Sequence, residues 1–418
     1  MNGEKSQGPV ARVVLVHVST DSITMQTQQS GLLAFLRQSG FRVFAVASPG
    51  PVLWQAAGRE GIEVVAVRIH REIRPFQDLM ALIQLWFLFR QLKPQIVNAG
   101  TPKAGLLGML AARFAGVPVR IYTQRGLRLE TCTGWKQRLL ILTERLACAC
   151  ADRVICVGPS LRAACLARRL VAASKAVVLA DGSSKGVDTV HFGRSRSPEE
   201  LIALRNELEI PLDAPIVGFV GRLTRDKGLS ELQLAFHHLR NRHPHARLLL
   251  VGDFEEGDPV DQQTVVALRK DKQVIITGFV KDTAPYYHLM TVLAFPSYRE
   301  GFPNVPLEAA CAAVPTVGFA ATGTIDAIQD SVTGTIVPLH DVAALTTALN
   351  RYLNNPKLRR DHGNSAQLRA RRDFASQRIW DELRALYLEL LESKGITHCL
   401  MSGEARLIKT KTDVRDAA

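Results

Sequence analysis

Two glutamates lie eight residues apart in the segment FPSYREGFPNVPLEAACA, residues 295–312. Glu300 follows an apolar run that predicts a strand, and Glu308 falls in a predicted helix for which Asn304 is the expected N-cap. Ionised carboxylates accept hydrogen bonds without donating them, which suits the hydroxyl groups of a sugar or a ribose. On spacing alone two plainer interpretations stay open, because Glu300 also fits a solvated loop acid and Glu308 a carboxylate that stabilises a helix dipole.

Two cations occupy the segment VGRLTRDKGLSEL, residues 220–232. Arg222 and Lys227 lie between a predicted strand and a helix that is expected to begin near Gly228. A diphosphate suits such a loop, because cationic side chains and a helix N-terminus both stabilise negative charge. The segment is not a Walker-type loop, since the chain contains no GxxxxGK[ST] pattern. Together the two cations and the two carboxylates predict a nucleotide-sugar site.

The surrounding sequence predicts the elements that hold these residues. From Arg12 onward, short Val- and Ile-rich strands alternate with amphipathic helices, which is typical of parallel βαβ units with strands buried on both faces. The alternation stops at residues 183–200, a polar segment interpreted as an interdomain linker, and then resumes. We therefore predict an α/β fold of two Rossmann-like, doubly wound domains facing a cleft, with ligands beyond the carboxyl ends of the strands.

The predicted domain organisation has five parts. They are a flexible N-terminus (residues 1–11), an N-terminal acceptor-side domain (residues 12–190), a C-terminal donor domain (residues 191–375), a C-terminal helix that packs back on the N-terminal domain (residues 376–395) and a flexible tail (residues 396–418).

Composition and charge exclude several classes of protein. The chain has 418 residues, 47% of them hydrophobic and 22% charged, which is typical of a folded globular protein with two domains. It contains no uninterrupted run of 18 apolar residues, and its polar first twelve residues lack the apolar core expected of a signal peptide. Its seven cysteines form no CxxC pair, which indicates reduced thiols in a cytoplasmic protein and no metal site.

The positive charge lies in one half of the chain. Residues 1–190 hold 24 Lys and Arg against 11 Asp and Glu, so they carry the whole net charge of +13. Such a field attracts nucleic acid, anionic lipid or phosphorylated substrates. Nucleic acid is the least expected of the three, because no reader motif accompanies the cations.

The two motif segments resemble the signature of retaining GT-B glycosyltransferases of family 4, in which an E-x7-E motif follows an upstream Arg and Lys. TPKAGLLGMLAARFAGVP, RVICVGPSLR and GSSKGVD are similar to segments of enzymes of bacterial capsule, exopolysaccharide or lipid-linked oligosaccharide assembly. The resemblance covers residues 12–390. It implies a sugar transferred with retention by same-face attack, with no metal and no cofactor beyond the nucleotide-sugar substrate.

The resemblance also implies roles for particular residues. Arg222 and Lys227 would neutralise the donor diphosphate, and Glu308 would hold the ribose hydroxyls. Glu300 would hold the transferred sugar together with the backbone of five residues: Gly301, Phe302, Pro303, Asn304 and Val305.

Two features depart from the family pattern. Family members commonly carry a histidine just before a glycine, and this chain has Arg125 at that position, in the segment YTQRGLR. An arginine cannot act as a general base, so Arg125 is expected to be an electrostatic clamp. The usual glycine-rich first loop is replaced by HVSTDSITM, which places Ser19 and Thr20 on the acceptor side. Lys103 is either a contact to an acceptor phosphate or an ordinary solvated lysine.

The basic N-terminal half suits an acceptor on an anionic lipid. The helix Phe76–Leu92, flanked by Arg68, Arg71, Arg74, Arg90 and Lys93, is interpreted either as lying on a membrane surface or as a buried crossover helix. The predicted activity is transfer from a nucleotide-sugar, with UDP favoured by the resemblance, to a glycan or polyprenyl-diphosphate-linked acceptor. The predicted location is the inner face of the cytoplasmic membrane. The alternatives are a GT-B nucleotide-sugar 2-epimerase and a non-catalytic nucleotide-sugar- or glycan-binding subunit.

Overall fold

A computed structural model describes residues 12–396 of the chain. The predicted flexible N-terminus (residues 1–11) and residues 397–418 of the predicted tail lie outside the described residues.

The first sheet has seven strands. Strand β1 pairs in parallel with β2 and β4, β2 with β3, and β6 with β7. The strands are β1 (Val14–Val18), β2 (Arg42–Ala47), β3 (Glu63–Ala66), β4 (Ile96–Gly100), β5 (Val119–Gln124), β6 (Arg153–Cys156) and β7 (Ala176–Val177). Their order is β3-β2-β1-β4-β5-β6-β7. The order reverses between β1 and β4, whose registers pair Val16 with Val97.

The second sheet has six parallel strands. They are β8 (Ile216–Val220), β9 (Arg247–Val251), β10 (Val274–Ile276), β11 (Val292–Phe295), β12 (Thr316–Phe319) and β13 (Gly334–Val337), in the order β10-β9-β8-β11-β12-β13. The two sheets confirm the predicted pair of Rossmann-like α/β folds. Their strands are rich in Val, Ile and Leu because helices cover both faces of a parallel sheet.

Helices connect the strands of the first sheet. They are α1 (Ser22–Gln28), α2 (Leu32–Gln38), α3 (Pro51–Glu60), α4 (Pro75–Leu92), α5 (Pro102–Phe114), α6 (Gly134–Cys150), α7 (Pro159–Ala167), and a 3-10 helix at Arg128–Thr131.

The remaining helices follow the first sheet in the chain. They are α8 (Thr189–Gly193), α9 (Pro198–Glu207), α10 (Leu229–Arg240), α11 (Gln262–Lys270), α12 (Ala284–Tyr287), α13 (Asn304–Cys311), α14 (Thr324–Ala327), α15 (Val342–Asn354), α16 (Pro356–Asp373), α17 (Ser376–Ser393), and a 3-10 helix at Arg225–Lys227.

The chain divides into two compact units by its internal contacts. Among the described residues, unit 1 contains residues 12–121 and 384–396, and unit 2 contains residues 122–383. These limits fall inside β5 and inside α17. The predicted division after residue 190 stays a prediction.

Unit 1 includes the second half of α17. The hydroxyl of Tyr387 is fully buried, accepts a hydrogen bond from Asn98 Nδ2 at 2.7 Å and lies 3.1 Å from His17 Nε2. The Phe41 ring packs edge-on against the same tyrosine. The last helix therefore supplies part of the core beside β1 and β4, which explains why His17 is a buried, hydrogen-bonded histidine.

Unit 2 buries the second sheet between two apolar clusters. One cluster includes Phe219 of β8, Phe236 of α10 and residues of α15. The other includes Tyr287 and Leu293. Successive side chains of a strand point to opposite faces, so β8, β9 and β11 contribute to both clusters. The result is a rigid sheet whose strand ends carry the predicted site.

The predicted irregular linker at residues 183–200 is more ordered than its sequence indicates. It contains α8, which begins after Asp188, and the start of α9. Ser197 and Glu200 form a reciprocal capping box at the N-terminus of α9. Val187 also forms a parallel bridge with Ala375. The sequence shows no periodicity here because a five-residue helix is too short to produce it, and the role of the segment as an interdomain linker stays a prediction.

Helix α4 has one buried face and one exposed apolar face, and its position on a membrane surface stays a prediction. It buries Ala81, Leu85 and Phe89 on one face. The opposite face exposes Phe76, Met80, Ile83 and Phe87, with exposed fractions of 74% for Phe76 and 60% for Phe87. None of the described helices is long and apolar enough to cross a membrane.

Candidate functional site

The predicted donor residues of unit 2 follow two neighbouring strands. β8 and β11 are adjacent, with Val217 paired to Val292, and the strand order reverses between them. The carboxyl end of β8 leads to Arg222 and Lys227, and the carboxyl end of β11 leads to Glu300. Parallel sheets bind ligands at such a reversal point, because the flanking crossovers run in opposite directions and leave a crevice.

Lys227 and Glu300 form an ion pair at this point. The Lys227 ammonium contacts Glu300 Oε1, which also accepts a hydrogen bond from the Ser297 hydroxyl at 2.7 Å. Each of the two charged side chains is only 16% exposed. The structure thus brings together two predicted site residues that are 73 positions apart.

Asp226 organises the cations of the β8 loop. It accepts a hydrogen bond from Thr224 Oγ1 at 2.7 Å and lies 3.4 Å from an Arg299 nitrogen. Burial raises its pKa, but the Thr224 hydrogen bond and the charges of Lys227, Arg299 and Arg222 together bring the pKa below the usual value. The aspartate therefore stays ionised and holds positive charge at the strand end.

Arg222 lies at the more open side of the loop. Its guanidinium donates to Glu255 Oε2 at 2.9 Å, and half of its side chain is exposed. An exposed ion pair of this kind is weak in water, so the guanidinium can exchange Glu255 for a stronger anion at low cost.

Gly301 approaches a second predicted residue through the backbone. A Cβ placed on Gly301 would lie 1.9 Å from the carbonyl oxygen of Arg125, so only glycine fits there. The neighbouring Gly126 has φ of 139°, a conformation that other residues rarely adopt. The half-buried Arg125 side chain donates to the Ser184 carbonyl at 3.1 Å. Arg125 and the Glu300–Gly301 turn are therefore adjacent.

Helix α13 starts one residue earlier than predicted, because its N-cap is Pro303 and not Asn304. Pro303 is the N-cap, and Asn304 is the first helical residue and makes no capping hydrogen bond. The prediction of Asn304 as N-cap was wrong because the extended φ and ψ required of a cap are already adopted by Pro303. Glu308 is the fifth residue of α13 and lies in its second turn.

Glu308 is a half-buried carboxylate. Its Oε2 accepts a hydrogen bond from the hydroxyl of Tyr287 at 2.7 Å. Burial raises its pKa, whereas the charge of Lys185 and the Tyr287 hydrogen bond oppose the rise.

The side chains between the two glutamates have structural roles. Phe302 is buried and packs against the Phe374 ring at 5.3 Å between centroids. Val305 packs against the apolar cluster that contains Tyr287. Both side chains pack within the protein, and a ligand contact through the backbones of Phe302 and Val305 stays a prediction.

Lys185 is a charged residue of this region that the sequence interpretation missed. Burial lowers the pKa of its half-buried ammonium. The Glu308 carboxylate acts to raise this pKa, and the Arg125 guanidinium acts to lower it. Lys185 therefore lies within electrostatic reach of both Glu308 and Arg125. The signal available in the sequence was a lysine between Ser184 and Gly186, inside the segment taken for a linker.

The predicted acceptor-side residues lie in unit 1. Ser19 and Thr20 follow β1, and the Thr20 hydroxyl is 2.6 Å from the Thr101 hydroxyl after β4. Lys103 is not the solvated lysine of one interpretation. Its ammonium contacts the Glu72 carbonyl and pairs with Asp78 at 2.8 Å.

The described residues contain no group of three or more His, Cys, Asp or Glu side chains that could hold a metal ion. The chemistry that unit 2 supports is the binding of an anionic, hydroxyl-rich ligand. Arg222, Lys227 and Glu300 follow two adjacent strand ends and Glu308 lies in the next helix, and such cations bind anions while carboxylates accept hydrogen bonds from hydroxyl groups.

Two family models match the chain. Residues 202–369 match the model described as glycosyl transferases group 1, and residues 24–182 match a glycosyl transferase 4-like domain. The first match contains Arg222, Lys227, Glu300 and Glu308, so it includes the motifs on which the sequence-based resemblance rests.

Characterised relatives cover most of the chain. A capsular polysaccharide biosynthesis glycosyltransferase, CapM of Staphylococcus aureus, is 36% identical over 87% of this chain and 94% of its own length. An Escherichia coli UDP-Gal:alpha-D-GlcNAc-diphosphoundecaprenol alpha-1,3-galactosyltransferase is 23% identical over 78% of this chain and 83% of its own length.

Solved structures share the fold. Anabaena Alr3699/HepE, crystallised with UDP and glucose, has a TM-score of 0.75 at 18% identity, over 90% of this chain and all of its own. A sucrose-phosphate synthase from Thermosynechococcus elongatus also has a TM-score of 0.75, at 21% identity over 91% of this chain and all of its own. With the two Rossmann-like sheets and the CapM similarity, these matches confirm the predicted resemblance: the chain is a GT-B glycosyltransferase and belongs to the glycosyl transferases group 1 family.

Proposed function

We propose that this glycosyltransferase moves a sugar from a UDP-sugar, with retention, to a glycan or polyprenyl-diphosphate-linked acceptor during bacterial surface polysaccharide synthesis. The observation that carries the proposal is the half-buried Lys227–Glu300 pair at the reversal point between β8 and β11. The names of CapM and of the diphosphoundecaprenol galactosyltransferase support the acceptor class, and the UDP complex of HepE supports the nucleotide.

In the proposed donor complex, Arg222 and Lys227 contact the diphosphate, Glu308 the ribose and Glu300 the transferred sugar. The bond from the anomeric carbon to the diphosphate breaks, and a bond to the acceptor oxygen forms on the same face of the sugar. The acceptor proton passes to the departing phosphate oxygen. Arg125 and the two loop cations stabilise the charge that develops on the leaving group. The expectation that no metal or other cofactor takes part remains a part of this proposal.

The proposed location is the cytoplasmic face of the membrane that carries the acceptor. Two features favour it: the positive charge of residues 1–190 and the exposed apolar face of α4. Cations attract the chain to anionic lipid, and exposed aromatic side chains enter the headgroup region.

Calorimetric titration with a panel of UDP- and GDP-sugars tests the donor site. Lys227→Ala and Glu308→Ala each remove one charged contact, so we expect roughly 10- to 150-fold weaker binding. Lys357→Ala is the matched control, because this exposed lysine lies in an ordinary pair within α16 and its loss should leave affinity unchanged.

Unchanged affinity in both site variants would contradict the proposed donor site. Turnover separates the activities: a new epimer formed without an acceptor would identify a 2-epimerase, and binding without any turnover would identify a non-catalytic subunit.

A further inference from the structure

Helix α6 carries an apolar stripe that faces away from the core. Trp135, Leu139, Leu142 and Leu146 define it, and we call it the α6 stripe. The exposed fractions are 68% for Trp135, 64% for Leu142 and 43% for Leu146, while Leu139 is half-buried. At 100° per residue the four side chains fall within a sector of about 60°.

The opposite side of the same helix is a normal buried face. Glu144, Ala147 and Cys148 pack inward, so the stripe is not needed to anchor α6 to unit 2. A contiguous exposed apolar surface is unusual on a folded protein and indicates a surface that another phase or molecule covers.

The charges around the stripe are of one sign. Exposed cations flank it on both sides, with Lys136 on one and Arg138 and Arg145 on the other. The one acid of α6, Glu144, is buried on the opposite face. An apolar centre between cations and without an exposed acid is complementary to an anionic lipid surface, where cations meet headgroups and apolar side chains enter the acyl boundary.

The types of side chain strengthen this assignment. Tryptophan is favoured at the interface of a bilayer, where its ring contacts both apolar and polar groups. A groove of about 710 Å³ lies beside the C-terminal half of α6 and is lined by Arg145, Arg169 and Lys175, among others. These residues extend the cationic surface beyond the stripe.

A second copy of the chain is a poorer occupant of this face. In a symmetric dimer the same surface meets itself, so Lys136, Arg138 and Arg145 would approach their own counterparts. Like charges at a buried interface oppose association.

We propose that the α6 stripe and its flanking cations bind the chain to anionic phospholipid bilayers. The inference deepens the proposed function, on which it rests, by assigning a lipid-binding surface in unit 2, in addition to α4 in unit 1. The stripe repeats the i, i+4, i+7, i+11 spacing of Phe76, Met80, Ile83 and Phe87 in α4, so the two helices present the same chemical pattern.

Co-sedimentation of the full chain with vesicles tests the proposal. The vesicles contain phosphatidylcholine alone or phosphatidylcholine with a minor fraction of phosphatidylglycerol. The variant W135S/L142S/L146S removes the exposed apolar groups, and we expect at least roughly tenfold weaker partitioning to the anionic vesicles. A rise in salt from about 0.1 M to about 0.5 M should also weaken binding of the wild type, because it screens the cations.

The matched control is L234S/V266S/L368S, which removes three exposed apolar side chains from α10, α11 and α16. It should partition like the wild type. The proposal is overturned if both triple variants bind vesicles equally well or if the wild type does not bind anionic vesicles. It is also overturned if light scattering shows that the wild type is a dimer and that only the α6 variant is a monomer.

Calorimetry with UDP-sugars on the same α6 variant keeps the two proposals separate. Retained donor binding together with lost vesicle binding supports the lipid surface and shows an intact fold. If the wild type binds no nucleotide-sugar but still binds vesicles through α6, the donor site is wrong and the lipid surface stands.

Discussion

Gly301 is a residue at which two distant parts of unit 2 approach each other closely. Its Cα packs against the carbonyl of Arg125, and a Cβ would enter the radius of that oxygen. Because Gly301 follows Glu300 directly, its small size sets how close the sugar-binding carboxylate proposed here comes to Arg125.

Replacing Gly301 by alanine should therefore force the two segments apart. We expect Gly301→Ala to lower the free energy of unfolding by about 1–3 kcal/mol, as overpacked sites do, measured by urea denaturation. Gly257→Ala is the control, since nothing lies within 4 Å of a Cβ at that position. Equal stability of the two variants would contradict the close approach.

At the residue scale, sequence reasoning identified single side chains better than their partners. The order of strand, glycine and charge was sufficient to place Glu300 and Lys227 at strand ends. Their mutual contact could not be predicted, because it joins residues 73 positions apart. Lys185 was missed for the same reason, since only the folded chain brings it near Glu308.

Helix α6 and strand β5 are joined by a buried carboxyl group. Glu144 accepts hydrogen bonds from the Tyr122 hydroxyl at 2.8 Å and from Gln124 Nε2 at 2.9 Å. Burial raises the pKa of Glu144 to about 7, although both hydrogen bonds act to lower it. The folded chain therefore binds this proton more tightly than the unfolded chain does.

The contribution of Glu144 to stability should depend on pH with a definite sign. The stabilisation that comes from the proton on Glu144 is fully present below pH 4.5, the ordinary pKa of a glutamate in an unfolded chain. It is lost as the pH rises through about 7. Relative to the wild type, Glu144→Gln should gain about 3 kcal/mol in unfolding free energy between pH 4.5 and pH 8. Urea denaturation across this range measures the difference, with the exposed Glu63→Gln as control. Parallel curves for wild type and Glu144→Gln would contradict the prediction.

At the element scale, the alternation of apolar strands and helices predicted both sheets. Sequence patterns did not predict an element as short as α8, and they did not predict which of two neighbouring residues is the N-cap of α13. α8 has five residues and leaves no periodic trace, and Pro303 rather than Asn304 caps α13. Periodicity needs several turns to become visible, whereas a cap is decided by local backbone angles.

At the scale of the whole molecule, one side-chain contact in unit 1 joins two residues 370 positions apart. Tyr387 joins Asn98 and His17 across 289 and 370 positions of the chain. Tyr387→Phe removes the shared hydroxyl, and we expect a loss of about 1–3 kcal/mol in unfolding free energy. Differential scanning calorimetry should show a lower midpoint for this variant than for Tyr286→Phe, a half-buried tyrosine of α12. Equal midpoints would mean that the hydroxyl contributes nothing to the core.

That contact also sets an order of events during synthesis. β1 and β4 leave the ribosome long before Tyr387 is added, and the intervening residues take on the order of ten to fifty seconds to translate. Until then, the part of the first sheet that α17 covers has no covering helix from this chain. The nascent enzyme therefore completes unit 1 only after the strands of unit 2 have been made, and a chain released at α16 would hold all seven strands of the first sheet but lack the helix that brings Tyr387 into unit 1.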